Sequence, residues 1–210
     1  MDDRPGVRAT YERIADHFAE TREYPWPEVE SFCADRHVVT ALDVGCGNGR
    51  HTELLGAHAD HVIGIDASGR LLALARERAP NAAFLEADAA ALPLADGVVD
   101  LAVYVATLHH LPSRELRRQS LDELARVLDE SGTALVSAWS TAHDRFDADE
   151  DAEDGFDTDV EWTLPGGETV PRFYHIYAPA EFDTDIAESD LTAVDSFVSS
   201  GNCYAVVEAA

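Results

Sequence analysis

The residues best placed to do chemistry lie in Asp43-Val-Gly-Cys-Gly-Asn-Gly-Arg50. Glycines at 45, 47 and 49 let a backbone turn sharply and approach a ligand with no Cβ in the way. The spacing is Gly-x-Gly-x-Gly rather than the Gly-x-Gly-x-x-Gly of dinucleotide folds, and no Gly-Lys-Ser/Thr follows, which argues against a Walker phosphate loop. Asp43, two residues before Gly45, would repel a pyrophosphate and suits a ligand with a cationic amino acid part. Two more acids follow runs that read as strands: Asp66 closes His61-Val-Ile-Gly-Ile, and Asp88 stands just after Phe84-Leu-Glu-Ala. A carboxylate ending the adjacent parallel strand meets ribose hydroxyls, and Asp88 is placed to accept from an adenine amino group. The ligand that suits this ordered set is S-adenosylmethionine. Cys46 reads as a small packing residue of the loop, not a nucleophile.

Positioning these groups requires strands that enter loops and helices that leave them. His37-Val-Val-Thr-Ala-Leu-Asp-Val44 is a near-continuous apolar, β-branched run, the mark of a strand buried on both faces. Strands are expected near 38–44, 61–66, 83–86, 98–105, 133–139, 191–197 and 202–208, with helices near 50–57, 69–79, 114–129 and 179–187. Such alternation predicts an α/β chain with a Rossmann-like, mostly parallel sheet covered on both faces and ligands at the carboxyl ends of the strands. Before it, Tyr11, Ile14, Ala15 and Phe18 recur at helical spacing up to Tyr24-Pro-Trp-Pro27. One domain is expected: a helical cap over 1–36, a cofactor-binding core over 37–140, an acidic loop over 141–160 and a substrate-side segment with the last strands over 161–210. In the loop region, ten of the eighteen residues from Asp144 to Glu161 are acidic, so a solvated segment is expected.

The chain of 210 residues carries 41 Asp and Glu against 15 basic residues, a net charge of −26, and all fifteen are Arg. Alone, this argues against a basic nucleic-acid surface and against anionic membranes. At ~1 M salt, however, the screening length falls to about 3 Å and self-repulsion nearly vanishes. The composition therefore reads as adaptation to a salt-rich, halophilic cytoplasm, and the acid excess reports habitat more than partners. Cys33, Cys46 and Cys203 are odd in number and widely spaced, which fits a reducing compartment and neither a disulfide framework nor a metal site on this chain. No signal peptide is read at Met-Asp-Asp-Arg-Pro, and the apolar stretch Leu101–Leu108 is too short to span a bilayer, so a cytoplasmic protein without a membrane partner is expected.

Residues 38–139, with Asp100-Leu-Ala-Val-Tyr-Val-Ala-Thr-Leu-His-His-Leu-Pro112, resemble a class I S-adenosylmethionine-dependent methyltransferase. The resemblance implies a seven-stranded sheet with its last strand antiparallel. It also implies cofactor contacts from Gly45, Cys46, Gly47 and Asn48 in the loop, from Ala67 and Ala89 beside the two acids, and from backbone at Val105. The flanks are more specific. Tyr11-Glu-Arg-Ile-Ala-Asp-His-Phe-Ala-Glu-Thr-Arg-Glu-Tyr-Pro-Trp-Pro27, Val170-Pro-Arg-Phe-Tyr-His-Ile-Tyr177 and Gly201-Asn-Cys-Tyr-Ala-Val-Val207 resemble the tRNA wobble-uridine methyltransferases that esterify 5-carboxymethyluridine. Phe173 replaces that family's second Tyr, and Cys203-Tyr204 stands where it usually has Trp. Membership implies the tRNA anticodon loop as substrate, a small zinc-binding activator protein as partner in a heterodimer, and Arg22 closing over the cofactor's carboxylate.

Methylating a carboxylate needs no general base, because an acceptor of pKa ~4 is ionised at neutral pH. It needs a dry slot and a cation that holds the acceptor in line. Arg172 is the expected cation, since a guanidinium grips a carboxylate bidentately. His175 is expected to donate a hydrogen bond beside it, with Tyr174 between them, and His109 and His110 to reach the same region. Trp26 and Trp139 are candidates to stack on a splayed base, and Arg114, Arg117 and Arg118 to face the RNA. A small-molecule acceptor and a silent cofactor-binding scaffold remain alternative readings of the same core.

Overall fold

Strand Val99–Val105 shows how the chain sorts itself into layers. Leu101, Val103 and Val105 join one buried cluster with Val29, Phe32 and Leu55, while Ala102 and Tyr104 join another with Leu121, Leu124 and Phe182. Side chains alternate across a strand, so a run apolar at every position must be covered on both faces.

The structure, a computed structural model, describes residues 4–146 and 152–210. Its order is α1 (Arg4–Glu20), α2 (Pro27–Cys33), β1 (Val38–Val44), α3 (Arg50–Leu55), β2 (Ala59–Asp66), α4 (Gly69–Arg78), β3 (Ala83–Glu86), β4 (Val99–Val105), α5 (Arg114–Val127), β5 (Leu128–Trp139), β6 (Phe156–Thr163), β7 (Thr169–Ile176), α6 (Pro179–Ala187), β8 (Leu191–Ser199) and β9 (Asn202–Ala209). The main sheet runs β3-β2-β1-β4-β5-β9-β8. The pairs β1–β2, β1–β4, β2–β3 and β4–β5 are parallel, and β9 is antiparallel to both its neighbours. This is the Rossmann-like class I methyltransferase sheet, with its last strand reversed as expected.

One segment departs from expectation. The acidic stretch was expected to stay loop through 160, yet β6 begins at Phe156 and pairs with β7 in a separate two-stranded sheet. Along β6 the exposed acids Asp157, Asp159 and Glu161 alternate with better-buried Thr158, Val160 and Trp162, a period of two that a count of charges conceals. Asp147–Asp151, within the same stretch, lie outside the described residues. Helix α1 crosses toward this hairpin: Trp162 Nε1 donates to His17 Nδ1 at 3.1 Å. Among the described residues, no helix is long and apolar enough to cross a membrane.

Candidate active site

A cavity of about 500 Å³ opens at the carboxyl ends of β1, β2 and β4. The turn after β1 forms one wall. Gly45, Gly47 and Gly49 all have positive φ, and a Cβ on Gly45 would run into the Thr107 side chain. The sequence therefore needs glycine there for both reasons. Asp66, ending β2, fixes the turn: its Oδ2 accepts from the Gly47 amide and its Oδ1 from the Ser68 amide, each at 2.8 Å. Burial raises the Asp66 pKa, opposed by those amides. Asp88 Oδ1 accepts from the Ala90 amide at 2.9 Å. Gly45, Cys46, Gly47, Asn48, Asp66, Ala67, Asp88, Ala89 and Val105 all line the cavity. Burial drives the Cys46 thiol well above its ordinary pKa, the state of a packing residue.

Two expected cofactor residues stand elsewhere. Asp43 is buried beneath the turn and accepts from Thr52 Oγ1 at 2.6 Å, outside the cavity lining. Burial pushes its pKa up to about 7. Arg22 stacks over Phe18 and Trp162, 5.2 and 5.6 Å from their ring centres, and also lies outside the lining. A further wall is α1, within the segment expected to form a helical cap, though its cavity-lining residues were not named from sequence: Val7, Arg8, Tyr11 and Phe18 cover the cavity, and Arg8 pairs with Glu86 across it. The amphipathic spacing of Tyr11 and Phe18 was the available signal.

Next to the cavity lies a cluster from three elements. The turn after β4 carries His109 and His110, β7 carries Arg172 and Tyr174, and α1 carries Tyr11. His110 Nδ1 meets the Phe173 carbonyl at 2.9 Å and its Nε2 meets the Tyr11 hydroxyl at 2.8 Å. A carbonyl only accepts, so Nδ1 carries the proton and Nε2 accepts from the phenol. Burial lowers the His110 pKa to about 4 and holds His109 well below its ordinary value, so both rings are neutral. His109 Nδ1 accepts from the Trp139 amide at 3.0 Å, and its ring stacks on Tyr174 at 4.8 Å. Arg172 is only 7% exposed, with its guanidinium 4.8 Å from the Trp162 ring centre and 5.1 Å from that of Tyr174. Its Nε has no hydrogen-bond partner, and no ion pair to a carboxylate is present among the described residues.

His175 is not in this cluster. Residues three apart in a strand face opposite ways, so β7 turns Arg172 and Tyr174 to one side and His175 to the other. There its Nδ1 meets Asp157 at 2.7 Å and its Nε2 meets Glu181 at 3.0 Å. The arginines of α5 are likewise engaged within the protein: Arg114 and Arg118 pair with buried Asp185, and Arg117 with Glu181. Trp139 packs against Tyr174 at 5.0 Å, whereas Trp26 lies under Arg50 at 5.1 Å.

Residues 42–136 match the family model described as a methyltransferase domain. Residues 42–136 thus carry a methyltransferase domain, and the chain has the class I methyltransferase fold. Within that class it is similar to enzymes named tRNA (carboxymethyluridine(34)-5-O)-methyltransferase. The one from Saccharomyces cerevisiae is 34% identical over 170 residues, 79% of this chain and 59% of its own length. The Mus musculus relative is 39% identical over 136 residues, 64% of this chain and 20% of its own length. The chain thus spans less than two thirds of the length of these relatives. Among solved structures, DhpI with SAH aligns with a TM-score of 0.73 at 18% identity, covering 98% of this chain and 96% of that one. A methyltransferase in complex with the Haloferax volcanii Trm112 activator aligns with a TM-score of 0.70 at 14% identity, covering 95% and 97%.

Proposed function

We propose that this protein esterifies the carboxylate of 5-carboxymethyluridine at the tRNA wobble position. The observation that carries the reading is Arg172. In a chain with 41 acids, a buried arginine with no carboxylate partner among the described residues, beside the methyltransferase cavity, is costly. A substrate carboxylate supplies the missing partner. The names of the relatives support the same acceptor.

The residues present suit the cofactor: carboxylates at Asp66 and Asp88 for hydroxyl and amino donors, and a glycine turn that lets backbone come close. When bound, it supplies an electrophilic methyl that passes to a carboxylate oxygen as the C–S bond breaks, with no proton to move. The protein's share is positional. Arg172 would grip the acceptor, Tyr174 and neutral His109 would wall the slot, and Trp139 would flank the base. His110, neutral and hydrogen-bonded on both ring nitrogens, divides the slot from the cofactor cavity. His175 would act from behind β7, by anchoring the strand to α6.

An activator partner belongs to this reading, supported by the fold neighbour solved with Trm112. Among the described residues, both outer strands of the main sheet, β3 and β8, have an unpaired edge that a partner's strand could extend, and both expose apolar side chains, Leu85 on β3 and Val194 and Val198 on β8. The zinc of such a partner would sit on the partner; no cluster able to hold a metal is found among the described residues here. A reducing, salt-rich cytoplasm is the setting this reading implies.

The test is incubation in molar salt with methyl-labelled cofactor and tRNA lacking wobble esters, with and without the activator. Label that enters tRNA and is released by mild alkali supports the reading. Alkali-stable label, or turnover only on small molecules, overturns it.

A further inference from the structure

We propose that Arg50 is the residue of this chain that binds the cofactor's amino acid carboxylate, the role that the family resemblance gives to Arg22; the inference rests on the cofactor and is independent of the tRNA acceptor. Two arginines line the cavity, Arg8 and Arg50. Arg8 is paired with Glu86, whereas Arg50 has no ion pair with a carboxylate among the described residues. The partners that Arg50 does have are neutral: Nη1 donates to the Tyr24 carbonyl at 3.5 Å, and the guanidinium sits 5.1 Å from the Trp26 ring centre. Asp43, the acid within its field, gives its carboxylate to Thr52 instead. Burial, with Arg22 and Arg78 nearby, outweighs the attraction of Asp43 and brings the Arg50 pKa down to about 10. At neutral pH the side chain is therefore still charged, a half-buried cation short of an anion.

The place of Arg50 matches one end of the cofactor. Neighbouring strands stand about 4.8 Å apart, and the sheet order β3-β2-β1 sets the cavity's charges in sequence. Glu86 ends β3 with Asp88 just beyond it, Asp66 ends β2, and Arg50 opens α3 at the close of the turn from β1. The acids at 66 and 88 thus meet the hydroxyl and amino donors of the adenosine, and the sign of the charge reverses where the amino acid part must lie. S-adenosylmethionine has a single carboxylate, and a guanidinium offers it paired donors. Arg22 is less suited. Its guanidinium is turned onto Phe18 and Trp162, and its Nη1 donates to the Thr21 carbonyl and hydroxyl at 3.1 and 3.3 Å.

Calorimetric titration with S-adenosylmethionine and with its decarboxylated analogue, which differ by the carboxylate alone, tests this. Wild-type protein should prefer the carboxylate-bearing ligand roughly 10- to 100-fold, the range for a hydrogen bond to a charged group. In Arg50→Gln the preference should shrink to within about 3-fold, and in Arg22→Gln it should persist. Both variants should bind 5′-methylthioadenosine, which lacks the whole amino acid part, within about 3-fold of wild type, which shows that the adenosine end is intact. A second measurement uses the wild type alone: nuclear magnetic resonance signals of the Arg50 guanidinium, assigned through bonds, should shift on adding S-adenosylhomocysteine and stay in place on adding 5′-methylthioadenosine. A wild type without the preference, full preference in Arg50→Gln, loss of it in Arg22→Gln, or Arg50 signals that ignore S-adenosylhomocysteine would each overturn the inference. Those outcomes leave the cofactor in place, whereas a wild type that binds none of these ligands would remove the cofactor reading and the inference together.

Discussion

The Thr107 side chain fills the space that a Cβ on Gly45 would need, and its hydroxyl donates to the Gly45 carbonyl at 3.4 Å. The turn after β1 and the turn after β4 are thereby locked together at the mouth of the cavity. Gly45 has φ +72°, so a side chain there meets both a clash and backbone strain. Gly45→Ala should cost about 2–4 kcal/mol, adding strain and overpacking, and should lower cofactor affinity more than any other single-methyl change in the turn. Urea unfolding and calorimetric titration with S-adenosylhomocysteine check both; an affinity equal to wild type would show that the two turns can separate freely.

Asp66 holds the Gly47 and Ser68 amides while facing the cavity, so its removal loosens the turn and deletes a ligand acceptor together. Asp66→Ala should weaken cofactor binding roughly 10- to 100-fold. Asp43→Ala should act differently, because Asp43 touches Thr52 and not the cavity: stability should fall while affinity per folded molecule changes little. Titrating both variants with S-adenosylhomocysteine separates the roles, and the assignment fails if Asp43→Ala loses affinity to the same degree without losing stability.

Legibility in the sequence followed burial. β1 and β4 could be read because a strand covered on both faces is apolar throughout, and the acids at 66 and 88 because strand ends in a parallel sheet converge on one edge. The hairpin β6–β7 could not be read by the same means. One of its faces is solvated, so its acids diluted the apolar signal of Val160 and Trp162. That omission also misplaced His175: treated as a segment rather than a strand, Arg172 and His175 looked adjacent, whereas alternation assigns them to opposite faces. A helical cap was expected over 1–36, but its cavity-lining residues could not be picked out, because a helix packing on a cavity has the same spacing as one packing on a core.

Two buried groups should give opposing pH dependences that mask one another. Burial, with help from Arg50 and Arg78, lowers His51 to about 3, against an unfolded value near 6.5. Between those values the unfolded chain binds more protons, so this group's contribution is complete above about 6.5 and is lost as pH falls toward 3. Burial raises Asp43 to about 7, against about 4 when unfolded. There the folded chain binds more protons, so the contribution is complete below about 4 and is lost as pH rises toward 7. The two slopes, each up to about 1.4 kcal/mol per pH unit, overlap from about 4 to 6.5. Relative to wild type, Asp43→Asn should make stability climb with pH in that window, and His51→Gln should make it decline. Urea midpoints at four pH values decide it; parallel curves for all three proteins would mean that neither group titrates as its burial requires.

Arg172→Ala should remove methyl transfer while leaving cofactor affinity within about 3-fold, because Arg172 is not among the residues that line the cavity. Arg172→Lys should restore little, since an ammonium cannot give the paired, planar donors of a guanidinium. Single-turnover transfer beside calorimetric titration makes the comparison. Loss of cofactor binding in Arg172→Ala would move this residue into the cofactor site or the fold.

The α5 arginines allow a sharper distinction, because a phosphate contact and an internal ion pair respond differently to salt. Arg114 and Arg118 approach the same Asp185 oxygen at 2.7 and 2.8 Å, and that carboxylate is fully buried, with Tyr177 on its other oxygen. Removing one arginine leaves the other, and each guanidinium is about a third exposed, so Arg118→Ala should cost only about 1–2 kcal/mol, less than breaking a wholly buried pair. Arg114 and Arg118 removed together strand the Asp185 charge and should cost more than twice as much. If these residues hold the helix rather than the RNA, log affinity for tRNA against log salt should keep its wild-type slope in the single variants. A phosphate contact would lower that slope by about 0.7–0.9 for each arginine lost, with stability untouched, and that pattern would return the cluster to the RNA-facing surface.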